Sequence, residues 1–482
     1  MFAELKARIN TLSSKKCAIR TDLSSKKCDK LQILSSEKCN FVLKTIIGQV
    51  DMRRKITTEL KKWKDDPDRK PLIMLGARQV GKTWIMKHFG EEEFENVAYV
   101  NCDEEPLAKA LFEADYSIPR ILLTLQAITG TKIEAGKTLI ILDELQEAKR
   151  GLHSLKYFQE NAPQYHVIAA GSLLGITIGK GESFPVGKVN ILHMYPLDFE
   201  EFLMAMGKDS LCDVLHQSEW DVVNTLETKY TDMLRQYYYV GGMPEVVADF
   251  AKNSDLQKVR SKQETILDSY RRDISKHTTA TESIRIGQVL HSLPSQLAKE
   301  NKKFIYNVLK KGARANEYEL AIQWLIDAGI IHKVCRVRDL QMPIKFYEDF
   351  SAFKLFLLDC GLFACMTGAP ASQMLIGDNV FKEFKGAFTE QYVLQQLVSM
   401  NLPTYYWNNN NSSAEIDFVV QTDHVIPIEV KAEENVRSRS MSTYIHQHPQ
   451  YNLKGLRCSM LGYKDQKWMV NIPLYGISKF FK

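Results

Sequence analysis

The sequence predicts an α/β protein built on a three-layer parallel sheet, with a second α/β unit near its C-terminus. Three observations predict it. Apolar runs of four or five residues at 72–75, 97–101, 138–142 and 167–170 have the length and composition of buried parallel strands. Helical stretches separate them, which is the alternation of a parallel sheet covered on both faces. The first run leads into a glycine loop and then a helix from Trp84 onward. That order of strand, loop and helix locates the central strand.

The loop is Gly76-Ala77-Arg78-Gln79-Val80-Gly81-Lys82-Thr83, a match to G-x-x-x-x-G-K-[ST] at every specified position. Backbone N–H groups of such a loop, with the helix N-terminus, capture phosphate oxygens. Gly76 and Gly81 permit a backbone that a Cβ would obstruct. Lys82 is expected to reach the β- and γ-phosphates of ATP, and the Thr83 hydroxyl to bind Mg²⁺.

The run at 138–142 ends in Asp143-Glu144, the Walker B pattern. Asp143 is expected to hold the Mg²⁺ hydration shell, and Glu144 to polarise the water that attacks the γ-phosphate. The run at 167–170 ends in Gly171-Ser172. Ser172 is either a sensor of the γ-phosphate or a plain strand-to-turn serine.

Composition bounds the rest. The 482 residues exceed one ordinary domain, so two to four are expected. Hydrophobic residues at 45% and charged residues at 25% are a globular balance. A net charge of +5 permits a nucleic-acid partner without demanding one. Nine cysteines occur without a C-x-x-C pair, so zinc-site spacing is missing and reduced thiols in a cytoplasmic setting are expected. No apolar run reaches about 18 residues, and the N-terminus lacks a signal-peptide core. No membrane partner is expected.

Residues 1–50 carry a repeat. Leu12-Ser13-Ser14-Lys15-Lys16-Cys17 recurs from Leu23 and again from Leu34, a period of eleven residues. Such a period supports a right-handed coiled coil, but the apolar content is thin and a loosely ordered tail is the better expectation.

The stretches GARQVGKT, ILDELQ, AAGSLLG, FPVGKVNILHMYPLDFEEFL and YYYVGGMPEVV together resemble a prokaryotic AAA-type ATPase family with a C-terminal domain of the type called DUF4143. The resemblance spans roughly residues 50–435. It implies an additional-strand P-loop ATPase core, a helical lid, a winged-helix segment and a C-terminal domain related to restriction-endonuclease-like nucleases. The expected division is 1–50, a repeat-bearing extension; 51–200, the ATPase core; 201–280, the lid; 281–345, the winged-helix-like segment; and 346–482, the nuclease-like domain.

The residues themselves agree in outline. Residues 51–70 form a charged helix stopped at Asp66-Pro67-Asp68. Asp198 is placed to cap a helix starting near Pro196. Gly241-Gly242-Met243-Pro244 is either a hinge between lid and core or an interhelical turn. Helices at 304–311 and 317–327, then a strand at 330–334, follow the order of a winged helix. Lys302, Lys303, Lys310, Lys311 and Arg314 make this part basic. It is expected to contact DNA phosphates or to serve as a lid or partner dock.

A second constellation follows. On a helix from Gly386, Glu390 points inward with Val393 and Leu394. A core-facing glutamate needs a partner or a metal. Residues 415–420 and 425–431 alternate as strands, with Asp417 opposite Ile416 and Phe418, and Glu429 and Lys431 opposite Ile428 and Val430. Asp417 followed by Glu429-x-Lys431 is the D…E-x-K arrangement of restriction-like nucleases, and Glu390 resembles that family's helical acidic residue. Glu390, Asp417 and Glu429 are the expected ligands of a divalent metal, and Lys431 the group that activates water and stabilises phosphate charge.

The leading expectation is an ATP-hydrolysing switch coupled to a DNA-binding or DNA-cleaving domain. The contrasting one is an ATP-gated DNA- or protein-binding module without nuclease activity. A homo-oligomer is left open.

Overall fold

The computed structural model describes residues 52–172, 175, 184–299, 302–376, 382–409, 414–432 and 438–481. The eleven-residue repeats, and the expectations attached to residues 1–50, lie outside the described residues.

The described residues open with helix α1 (Ile56–Asp65), which buries Leu60 and Trp63. The Trp63 indole N–H donates to the Lys70 carbonyl at 2.7 Å and ties the helix to the first strand. A parallel sheet follows, made of β1 (Leu72–Leu75), β2 (Asn96–Asn101), β3 (Thr138–Asp143), β4 (His166–Ala170) and β5 (Asn190–His193). Helices α2 (Lys82–Glu93), α3 (Ile118–Thr129) and α4 (Gly151–Asn161) connect them. The strand order is β2-β3-β4-β1-β5, so β4 is inserted between the loop-bearing β1 and the acidic β3. Strands β3 and β4 are buried at every residue, as a sheet covered on both faces requires.

Helix α5 (Phe199–Ala205) starts at Asp198 with a complete capping box to Glu201. Then come α6 (Glu227–Val240), α7 (Pro244–Asn253), α8 (Leu256–His277) and α9 (Ala280–Leu297). The Gly241-Gly242 break is a packed interhelical turn. The Gly242 N–H donates to Asp359 at 2.6 Å and its carbonyl accepts from the Leu197 N–H at 2.7 Å. A side chain at Gly242 would overlap the Leu197 backbone, and one at Gly241 the Asp359 carboxylate. Such close packing on both sides leaves no slack for a hinge.

The expected winged helix takes another form. In place of a helix at 304–311 there is one 3₁₀ turn at Tyr306–Val308. Ile305 and Val308 are 40% and 38% exposed, so no apolar face is buried that could hold a helix there. Helix α10 (Ala315–Asp327) forms as expected. The strand after it, β6 (Ile331–Val337), pairs with β7 (Glu348–Leu357) on one side and with a C-terminal strand on the other. The hairpin is thus part of a large sheet, not a free wing, and residues 345 and 346 lie in the 3₁₀ turn (Ile344–Tyr347) that joins its two strands. Lys302, expected on a basic outer face, turns inward.

The rest of the chain is helix α11 (Cys360–Thr367), helix α12 (Lys382–Ser399), strands β8 (Thr404–Asn408), β9 (Glu415–Gln421) and β10 (Val425–Val430), helix α13 (Arg439–Gln447), and strands β11 (Gly455–Ser459), β12 (Lys464–Gln466) and β13 (Met469–Pro473). The eight strands run β12-β13-β11-β10-β9-β8-β6-β7. Strands β8, β9 and β10 are an antiparallel meander, and α13 crosses over to β11, parallel to β10. Helix α12 ties this sheet to the helices before it through buried glutamines. Gln391 bonds both backbone groups of Leu357, Gln395 bonds Asp359 and the Tyr237 hydroxyl, and Gln396 accepts from the Phe199 N–H.

Candidate nucleotide site and acidic cluster

The glycine loop leaves the buried strand β1 in a backbone only glycine adopts easily. Gly76 has φ 149° and a Cβ there would overlap the Met194 carbonyl. Gly81, at φ 97°, is the N-cap of α2, which begins with Lys82 and Thr83. The loop is held from outside. Arg54 donates to the Val80 carbonyl at 3.0 Å and to the Tyr195 carbonyl at 2.6 Å. From α8, the Tyr270 hydroxyl donates to the Arg78 carbonyl at 3.0 Å, Asp273 pairs with the Arg78 guanidinium, and Ser269 donates to the Gln79 side chain.

Lys82 is buried, and its ammonium donates to the Gly76 and Ala77 carbonyls at 2.7 and 2.8 Å. Burial pushes its pKa down from 10.5 to about 8. The Thr83 hydroxyl donates to Asp143 Oδ2 at 2.6 Å, and the Tyr99 hydroxyl to the same oxygen at 3.2 Å. Burial raises the Asp143 pKa above its ordinary value, though the Thr83 bond opposes it. A hydroxyl beside a buried carboxylate is a donor set that suits a hydrated Mg²⁺.

Glu144 follows directly, in the left-handed region at φ 49°, ψ 43°. That conformation costs a non-glycine residue about 1 kcal/mol or more. It swings the carboxylate across to β4. Glu144 Oε2 accepts from Gln146 Nε2 at 2.6 Å, from the Ser172 N–H at 3.2 Å and from the Ser172 hydroxyl at 3.3 Å. The structure therefore brings Lys82, Thr83, Asp143, Glu144 and Ser172 to the C-terminal ends of β1, β3 and β4. Sequence reasoning missed Arg54, Tyr99, Gln146, Tyr270 and Asp273. Of these, only Gln146 carried a local signal, two residues after Glu144 in ILDELQ.

A cavity of about 680 Å³ adjoins the loop. It reaches from Gly76, Ala77 and Ser172 to His332 and Lys333 of β6 and to Asn401 after α12. The turn between α10 and β6 lies against the loop itself. A Cβ on Gly329 would stand 3.1 Å from the Ala77 nitrogen. The chain thus enters the eight-stranded sheet, at β6, from beside the glycine loop.

The second cluster is buried in that sheet. Glu390 of α12 is 3% exposed and Glu429 of β10 is 4% exposed. Asp417 of β9 accepts from the Val430 N–H at 2.8 Å, and Lys431 pairs with Glu429 at 2.6 Å. All four D…E-x-K positions share one electrostatic neighbourhood, because Lys431 is influenced by Glu429, Asp417 and Glu390 together. Two further lysines enter it. Lys302 pairs with Glu390 Oε1 at 2.5 Å. Lys354 of β7, fully buried, lies 3.6 Å from Glu390 Oε2 and pairs closely with Glu415.

Burial alone would lower the Lys354 pKa, but Glu390, Glu415 and Asp417 more than offset it and hold it above the usual lysine value. Burial would raise Glu390, and Lys302 and Lys354 bring it below the usual range instead. Asp417 is pushed up to about 7, by burial first and then by Glu390. Among the described residues, no group of three His, Cys, Asp or Glu side chains is arranged to hold a metal ion. Glu390, Asp417 and Glu429 were the expected metal ligands; here Glu390 and Asp417 act on each other, and lysines supply the positive charge beside Glu390.

Comparison with known proteins gives three matches along the chain. Residues 68–203 match the family model described as AAA domain, AAA_14. Residues 231–373 match a domain of unknown function, DUF8612, and residues 385–475 another, DUF4143. No curated protein matches. Among solved structures, the chain is similar to the Orc1 protein of Aeropyrum pernix in complex with DNA, at 12% identity over 68% of this chain and 96% of that one, with TM-score 0.29. It is similar to the Thermotoga maritima RuvB Holliday junction branch migration motor, at 14% identity over 55% of this chain and 81% of that one, with TM-score 0.25. It is also similar to AMPPCP-bound DnaA of Aquifex aeolicus, at 16% identity over 57% of this chain and 86% of that one, with TM-score 0.26.

Proposed function

We propose that this chain, a P-loop AAA domain followed by a DUF4143 domain, is an ATP-binding and ATP-hydrolysing switch whose C-terminal sheet binds a partner without cleaving it. One observation carries the ATPase reading: the phosphate loop, the Thr83–Asp143 pair and the Glu144–Ser172 contact meet at one end of one sheet. Thr83 and Asp143 would hold Mg²⁺, which supplies charge neutralisation on the phosphates. Lys82 would exchange its two loop carbonyls for phosphate oxygens, and Glu144 would take the proton of the attacking water. The contact of Gly329 with Ala77 supports coupling, because a loop that rearranges around phosphates presses on the turn that starts β6.

The lysines favour binding over cleavage in the C-terminal domain. A phosphodiesterase site needs its carboxylates to carry a divalent cation, and here Lys302 and Lys354 already compensate Glu390. The exposed Lys310, Lys311 and Arg314 favour a polyanionic partner such as DNA. The nuclease reading keeps one observation in its favour, the shared neighbourhood of Glu390, Asp417, Glu429 and Lys431 on a meander with an αβ crossover. The test is incubation of nucleic acid with Mg²⁺ or Mn²⁺, with and without ATP, using wild type and Asp417→Ala. Equal, background-level cleavage is the expected result. Cleavage by wild type that Asp417→Ala abolishes would establish the nuclease.

A further inference from the structure

We propose that Gln146 is a positioning residue for ATP hydrolysis, which holds the Glu144 carboxylate so that one oxygen is left to take the proton of the attacking water. The inference rests on the ATPase reading above and adds a residue to it.

Three donors converge on one oxygen of Glu144. Gln146 Nε2, the Ser172 N–H and the Ser172 hydroxyl all bond Oε2. No described group donates a hydrogen bond to Oε1, the oxygen left to accept a proton. The Gln146 amide is committed to that bond. Its Nε2 is spent on Glu144, while its Oε1 is buried and has no hydrogen-bond partner. A buried amide oxygen without a donor is costly, roughly 1–3 kcal/mol, and calls for an explanation. Flipping the amide offers no relief, since it would set an amide oxygen 2.6 Å from a carboxylate oxygen.

The local backbone makes this geometry. Glu144 in the left-handed region is followed by a 3₁₀ turn at Leu145–Glu147, which folds the Gln146 side chain back onto the Glu144 carboxylate. Leu145 between them is fully buried and fixes the turn.

With Oε2 held by three donors, Glu144 Oε1 is the oxygen left for the water. In the reaction, the oxygen of the attacking water bonds to the γ-phosphorus as the bond from that phosphorus to the β–γ bridging oxygen breaks. The electron pair leaves with ADP. The water's proton passes to Glu144 Oε1, and the hydroxyl becomes part of inorganic phosphate. Gln146 undergoes no covalent change and acts only through Glu144. Its contribution is to hold the base in place, which acts on kcat more than on ATP binding.

The test is steady-state ATPase kinetics and ATP titration on the full chain. Gln146→Met keeps the shape and removes both donor and acceptor. It is expected to lower kcat by about 10- to 100-fold while KM and the affinity for ATP stay within about threefold. In a Glu144→Gln background, Gln146→Met is expected to add almost nothing, because Gln146 acts through the Glu144 carboxylate. Wild-type kcat in Gln146→Met, beside an inactive Glu144→Gln, would overturn the inference and leave the ATPase reading intact. A loss of ATP affinity as large as the loss of kcat would also overturn it, since it would make Gln146 a structural prop. Independent, multiplying losses in the double variant would do the same. A wild-type protein without ATPase activity, or a Glu144→Gln variant with full turnover, would overturn the reading beneath it.

Discussion

Two buried acidic clusters lie in this chain, and their compensation differs in kind. Among the described residues, Asp143 and Glu144 accept hydrogen bonds from neutral donors alone: three hydroxyls, an amide and two backbone N–H groups. Glu390 and its neighbours are balanced by the ammonium groups of Lys302 and Lys354. Neutral donors leave both carboxylates charged, and Lys82, which acts on them from nearby, bonds loop carbonyls and not the carboxylates, so the first cluster has room for an arriving cation and can release it again. Internal lysines cancel that charge permanently, and a cation entering the second cluster would have to displace one. Carboxylates alone do not announce a metal site; what else neutralises them decides it.

The largest expected effect breaks the second cluster. Lys354→Ala leaves Glu415 and one oxygen of Glu390 without their ammonium partner. Losing one partner of such a network costs about 3–5 kcal/mol. A urea unfolding midpoint should fall accordingly. Added Mn²⁺ should not restore it. Recovery of stability with Mn²⁺ would mean that the cluster accepts a divalent cation once its lysine is gone, and the contrast between the clusters would narrow.

Glu144→Gln tests the first cluster. The amide keeps the shape and preserves ATP binding, while turnover should drop by roughly 10²-fold or more. Turnover at the wild-type rate would remove Glu144 from the reaction. Lys82→Ala should come next. A lost charge-assisted hydrogen bond is worth about 1.5–3 kcal/mol, so ATP affinity should fall by roughly 10- to 100-fold. A calorimetric titration with unchanged affinity would refute the phosphate role of the loop.

The contrast also separates what the sequence reveals from what it hides. The first cluster was legible because its parts are local signals: a strand, a glycine loop with Lys82-Thr83, and a strand ending in Asp143-Glu144. In the second, Glu390, Asp417, Glu429 and Lys431 were legible from helix and strand periodicity. Their counter-charges were not. Lys302 and Lys354 reach Glu390 and Glu415 across 88 and 61 residues, and no periodicity marks such a pairing. Lys302 read as part of a basic outer face because lysines usually are solvated. The wing failed for a related reason. Strand β6 was recognised, but its second partner, β8, lies some 70 residues on, and only the tertiary fold turns a hairpin into a sheet interior. Gln391, Gln395 and Gln396 also escaped notice, since a glutamine-rich helix face reads as solvent-exposed until the backbone groups it satisfies are known.

The smallest expected effect compares a lysine from each cluster. Lys82 is pushed down to about 8 by burial, whereas Lys354 is held above the usual lysine value by its carboxylates. Phosphate binding favours the charged form of Lys82. Below pH 8 that form is already present, and ATP affinity should be flat. Above pH 8 the free protein carries neutral Lys82, so binding must take up a proton, and affinity should fall by up to about tenfold per pH unit. The sign for folding is opposite. Between pH 8 and 10.5 the native state holds fewer protons at Lys82 than the unfolded chain, so the destabilising contribution of its burial is relieved as pH rises through that window. Lys354, charged throughout, contributes no such change. Isothermal titration of ATP from pH 7 to 9.5, in buffers of differing ionisation enthalpy, would count the proton taken up. Lys82→Ala should remove the slope. If a slope of the same size persists in that variant, the titrating group is elsewhere, and the loop lysine is charged in the free protein after all.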